Sequence, residues 1–120
     1  MYNVVDSSGW LEIADSPVAG HFSDALEDPE RLIVPVITIC EVFKKVLREK
    51  GEGEALQVAS LMQSGTVVNL DQDLALEAAR YSLPLADSII LATAVAHEAV
   101  LWTQDVHFQN LPNVRYFPKE

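Results

Sequence analysis

Five short runs with strand character punctuate the chain: Tyr2–Val5, Leu32–Val34, Thr66–Leu70, Val100–Thr103 and Val114–Phe117. They are rich in valine, and most are continuously apolar rather than alternating, which is how a strand buried on both faces reads. Stretches of helical character separate all but the last two. Strands alternating with helices call for a parallel sheet covered on both sides. The expected fold is therefore α/β: a three-layer α/β/α domain around a central, mostly parallel five-stranded sheet. With 120 residues and no internal repeat, low-complexity tract or linker, residues 1–120 are expected to form a single domain.

The helical stretches can be placed in turn. Ser7-Ser8-Gly9 opens a helix carrying Trp10, Leu11 and Ile13. Ser16-Pro17 reads as an N-cap followed by proline at the first helical position, starting a helix that passes Phe22, Ala25 and Leu26 and stops near Asp28-Pro29. From Val36 to about Lys50, the residues Val36, Ile39, Cys40, Phe43 and Leu47 recur at helical spacing, so an amphipathic helix is expected there. Gly51-Glu52-Gly53 breaks it. Further helices are expected from about Glu54 to Gln63, after an Asp71 cap through Tyr81, and from Leu85 to about His97.

Against this apolar frame, four acids are out of place. Asp6 ends Val4-Val5, Glu41 interrupts the run from Val36 to Phe43, Asp87 interrupts Leu83 to Leu91, and Asp105 follows Val100 to Thr103. A carboxylate against a core is costly unless it is paired, hydrogen-bonded or bound to metal. Each has a plainer explanation as well: Asp6, Asp105 and Asp87 could cap helices, and Glu41 could be a solvated helix residue. Asp6 and Asp105, however, both fall just past strand C-termini, the edge where open α/β sheets place ligands. Glu41 and Asp87 sit early in helices and can reach the same edge. One shared acidic site explains all four. Four clustered carboxylates suit Mg²⁺ or Mn²⁺, and the chemistry such ions support is phosphodiester hydrolysis.

The same residues carry a family resemblance. Val4-Val5-Asp6-Ser7-Ser8, Cys40-Glu41-Val42, Leu83 through Ala94 around Asp87, and Trp102-Thr103-Gln104-Asp105-Val106-His107-Phe108 together resemble a PIN domain, with the length and spacing of VapC-type toxins. The resemblance covers essentially the whole chain. It implies that Asp6, Glu41, Asp87 and Asp105 are the metal-binding and catalytic acids, that Thr103 is the threonine of a T-x-D motif, and that Ser7 supports the site. It further implies a Mg²⁺- or Mn²⁺-dependent endoribonuclease that acts on RNA, forms a homodimer and is neutralised by a cognate antitoxin. One position departs from the pattern. Many members carry a further acid two residues after the aspartate of T-x-D, and here that residue is His107, which leaves the number of ions open and gives His107 an assisting role.

Composition narrows the partners. The single cysteine, Cys40, excludes an internal disulfide and fits a reducing cytosol; its place in the apolar stripe predicts a buried, unreactive thiol. No basic segment precedes the first apolar residues, and Ile89–Ala96 is too short to span a bilayer, so a soluble, cytoplasmic protein without a membrane partner is expected. The net charge of −10 argues against a general nucleic-acid binder, yet four of the eight Lys and Arg residues are Lys44, Lys45, Arg48 and Lys50. Lys45 and Arg48 follow Glu41 at helical spacing and are candidate RNA contacts; a solvated helix end is the alternative. His21 and His97 lack zinc-spaced partners, and Trp10 and Trp102 read as core. Two rival functions stand beside the nuclease. One is a catalytically silent PIN-like module that binds protein. The other is a phosphate-accepting receiver domain, which is disfavoured because no lysine lies between Lys50 and Lys119.

Overall fold

In the computed structural model, which describes residues 1–15 and 20–119, five parallel strands lie in the order β3-β2-β1-β4-β5. They are β1 (Asn3–Val5), β2 (Leu32–Pro35), β3 (Thr66–Val68), β4 (Val100–Thr103) and β5 (Val114–Tyr116). Every pairing is parallel, with Val4 opposite Ile33 on one side and Leu101 on the other. The helices are α1 (Ser7–Asp15), α2 (Ser23–Leu26), α3 (Val36–Lys50), α4 (Glu52–Met62), α5 (Gln72–Ala78) and α6 (Leu85–Ala96). Two short 3₁₀ turns, Pro29–Arg31 and Val106–Phe108, complete the description. None of the described helices is long and apolar enough to cross a membrane.

The sheet separates two cores, as a continuously apolar strand requires. Val5, Leu32, Val34 and Trp102 point to one face, where they meet Trp10 and Ile13 of α1, Ala25 of α2, Val42 and Val46 of α3, and Met62 of α4. Val4, Ile33 and Leu101 point the other way, against Ile90, Leu91 and Ala94 of α6. Successive strand residues face opposite sides, so neither side of β1 can be polar. Helices on both faces follow from that requirement.

Two glycines show how tightly the chain is threaded. At Gly51, φ is +94°, a conformation that costs a side chain, and it ends α3 and starts α4 in a single residue. At Gly9 the constraint is space: a Cβ there would lie 2.6 Å from Val5 Cγ1 and 2.9 Å from the Phe22 ring. Gly9→Ala is expected to destabilise the protein by about 1–3 kcal/mol through overpacking, seen as a lower urea midpoint with an unchanged slope.

Some expectations require correction. The buried face of α3 is Thr38, Val42 and Val46, not the stripe through Cys40 and Leu47; Leu47 is 43% exposed and Cys40 is exposed. Thr38 can be buried because its hydroxyl donates to the Pro35 carbonyl at 2.6 Å, so a polar residue takes a core position. The strand at Thr66 ends at Val68, two residues early, and lies at the edge of the sheet. Ser16 and Pro17 lie outside the described residues.

Candidate metal centre

β1 lies between β2 and β4, so the chain winds outward from β1 first towards β3 and later towards β5. The crevice at the C-terminal ends of β1 and β4 is the switch point of the sheet, where α/β folds bind ligands. Asp6 follows β1 there, and Asp105 follows β4 by two residues.

Asp6 is 2% exposed. Its Oδ1 accepts from Ser8 Oγ (2.7 Å) and from the Gly9 amide (2.9 Å), capping the start of α1. Its Oδ2 accepts from Thr103 Oγ1 at 2.6 Å. Burial holds this carboxyl above the usual range, opposed in part by those three hydrogen bonds and helped by Asp105. Thr103 also accepts from the Asp105 amide at 2.8 Å, so one buried hydroxyl ties the two aspartates together. Ser8 accepts from the Gln104 amide at 3.0 Å and makes a second tie between the same two loops.

Asp105 caps the 3₁₀ turn by accepting the His107 amide at 2.9 Å. The turn folds His107 back, placing its Nδ1 2.7 Å from Asp105 Oδ1 and 3.2 Å from Asp87 Oδ2. Asp87 stands in the first turn of α6 and takes no part in a cap, since that helix begins behind Pro84 without a side-chain acceptor. Burial first, and then the neighbouring Asp105, hold the Asp87 carboxyl up to about 7; His107 works against the shift and Asp6 adds to it. Capping and clustering are therefore not alternatives for Asp6 and Asp105. Each does both.

The fourth acid is attached differently. Glu41, half-buried on α3, accepts from Ser7 Oγ at 2.5 Å. It is thus one residue removed from Asp6, while Asp87, Asp105 and His107 form the tight group, each offering a ligand atom within 4.8 Å of the others. Lys45 lines a groove of about 750 Å³ with Ser8, Glu12, Asp15, Gln104 and Lys119; the four acids do not line it, and Ser8, bonded to Asp6, joins it to the centre. Lys44 and Arg48 are exposed on α3 but do not line it, and Lys50 is engaged with Asp15 at 2.6 Å.

Asp87 and Asp105 are crowded together, so ionising both creates a charge excess that a divalent cation would relieve. The oxygen-rich donor set fits such an ion. The sequence model of the PIN domain matches residues 4–114. The chain belongs to the PIN domain family. Solved structures similar to this PIN domain include a toxin–antitoxin complex from Klebsiella pneumoniae (25% identity, TM-score 0.76, 98% of this chain and 99% of that one). They also include a DNA-bound VapBC complex from Salmonella typhimurium (15% identity, TM-score 0.78, 98% of each chain). A third is a sarcin–ricin loop cleaving toxin from Mycobacterium tuberculosis (17% identity, TM-score 0.71, 93% and 98%). No curated protein matches by sequence. Ser8 and Gln104 lie within the motifs without being marked as site residues, and Lys119 lies outside them. Their places depend on contacts such as Ser8 to Gln104, 96 residues apart, which no local pattern announces.

Proposed function

We propose that this PIN domain is a Mg²⁺- or Mn²⁺-dependent endoribonuclease, the VapC-type toxin of a toxin–antitoxin pair. The observation that carries the reading is the convergence of Asp6, Asp87 and Asp105 at the switch point of the sheet, with Glu41 joined through Ser7. Asp6, Asp87, Asp105 and Glu41 would hold the cation. Once bound, it would neutralise the acids and supply the Lewis acidity that makes water a nucleophile towards a phosphodiester.

The chain's own residues do the rest. Thr103, Ser8 and the Gly9 amide hold Asp6 in one rotamer, so little ordering remains for a ligand to impose. Ser7 does the same for Glu41. Lys45 and Lys119 offset Glu12 and Asp15 in the groove that reaches the centre through Ser8, where the net charge of −10 would otherwise repel RNA. Replacing Lys45 and Arg48 by alanine is expected to weaken RNA binding. The slope of log affinity against log salt should flatten by about 0.7 for each phosphate that is no longer neutralised. An unchanged slope would exclude both from the RNA path.

Antitoxin binding is part of the same reading, supported by the toxin–antitoxin complexes among the similar structures; the homodimer is proposed from the family resemblance alone. The function is tested with a pool of structured and single-stranded RNAs, with Mn²⁺, Mg²⁺ or chelator. Cleavage that needs the cation and is lost in Asp6→Asn would uphold it. Intact RNA in a protein that demonstrably binds the cation would leave a silent protein-binding module.

A further inference from the structure

His107 is more firmly built into the centre than an exposed side chain needs to be. The 3₁₀ turn that carries it is fixed at one end by the Asp105 cap. At the other end Phe108, fully buried in the core beneath α6, anchors it. The turn carries the half-exposed ring to the two acids, and its Nδ1 lies 2.7 Å and 3.2 Å from oxygens of Asp105 and Asp87. Asp105 Oδ1 is already engaged by the His107 amide. The imidazole is therefore a nitrogen donor held between both carboxylates.

We propose that His107 is itself a metal ligand through Nδ1, making this a mixed nitrogen–oxygen centre that prefers first-row transition cations to Mg²⁺. The inference rests on the metal centre proposed above and says which ion that centre selects. Mg²⁺ is hard, demands oxygen donors and gives up water reluctantly, whereas imidazole suits the later first-row ions such as Zn²⁺. Co²⁺ stands above Mn²⁺ in affinity, and Mn²⁺ is nearest to Mg²⁺ in its preference for oxygen. A histidine where an acid could stand also leaves the site one negative charge poorer. Mg²⁺ depends on that charge more than Co²⁺ does, having no compensating bond to nitrogen. The opposing possibility is that the imidazole is only a counter-charge resting between two acids, which a cation would have to displace.

The two differ in sign. Full-length, untagged protein is titrated with Co²⁺ and Mg²⁺, and the Mn²⁺ adduct is examined by pulsed EPR for nitrogen coupling, in wild type, His107→Ala and His107→Asp. A ligand role predicts nitrogen coupling in wild type that both variants lose. It also predicts that His107→Ala binds Co²⁺ about tenfold or more weakly with little change for Mg²⁺, and that His107→Asp narrows the Co²⁺-over-Mg²⁺ preference by a similar factor. No nitrogen coupling, equal losses for both cations, or tighter binding by His107→Ala would overturn it. If wild type still binds cation and Asp87→Asn does not, those results overturn only the role of His107. If no cation binds wild type, the metal centre itself falls.

Discussion

Replacing Asp87 by asparagine is expected to stabilise the metal-free protein at neutral pH while reducing RNA cleavage by at least ~100-fold. In the folded chain the Asp87 carboxyl is held up to about 7, against 3.8 for the unconstrained group. Between these two values the folded protein binds more protons than the unfolded one, so its stability falls as pH rises. The stabilising contribution is present in full below about pH 4 and is lost on passing through neutrality. The carboxyl is only partly shielded from solvent, so the effect is of order 1 kcal/mol, far less than the full shift would give. For a domain of this size that is about 3–5 °C in Tm. Asparagine keeps the shape without the charge. A thermal melt in chelator should therefore fall between pH 5 and pH 8 for wild type and change less in the variant. Mn²⁺ should raise the wild-type Tm at pH 8 and leave the variant nearly unmoved. A variant that melts lower than wild type in chelator at pH 8 would show that the Asp87 charge is compensated without metal.

The same acid illustrates which parts of the molecule were legible in the sequence. Asp87 stood out because it sits among Leu83, Ile90 and Leu91, and the last two of those neighbours are indeed core. Val4-Val5 announced a strand buried on both faces, and the two valines lie in opposite cores. The limits of α3 were also visible, in Pro35 before it and Gly51 after it. Its buried face was not, because the helix offers two overlapping apolar stripes. What decided between them was Thr38, whose hydroxyl is satisfied locally and so counts as apolar. The convergence of the acids on one edge was expected from strand ends for Asp6 and Asp105 and from early helix positions for Glu41 and Asp87. Their wiring did not: His107 enters the group through a 3₁₀ turn with no periodicity to read, and Glu41 joins only through a bond to Ser7, 34 residues away. Positions came from local chemistry, partners from the tertiary fold.

Thr103 is the test of that wiring, and Thr103→Val is expected to be among the most damaging single changes to both stability and metal binding. The threonine is fully buried, and its hydroxyl both donates to Asp6 Oδ2 at 2.6 Å and accepts from the Asp105 amide at 2.8 Å. Valine has the same shape, so packing of β4 is preserved and only the two hydrogen bonds disappear. What remains is a buried carboxylate short of a donor and an amide short of an acceptor. Stranded groups of this kind cost about 1–3 kcal/mol each, and more when one is charged. A loss of roughly 2–4 kcal/mol follows, or about 10 °C in Tm. Loss of the Thr103 bond also removes the first of the three forces that oppose burial at Asp6, so its carboxyl rises further and grips a cation less well. Mn²⁺ affinity should fall by about 10–100-fold. Thr103→Ser keeps the hydroxyl and should restore most of the metal affinity, even though losing the methyl costs some stability. In an Asp6→Ala background the valine substitution should cost less than in wild type, because one of its two partners is already gone. Equal costs in the two backgrounds would mean that Thr103 acts through packing, and that the two aspartates are positioned independently.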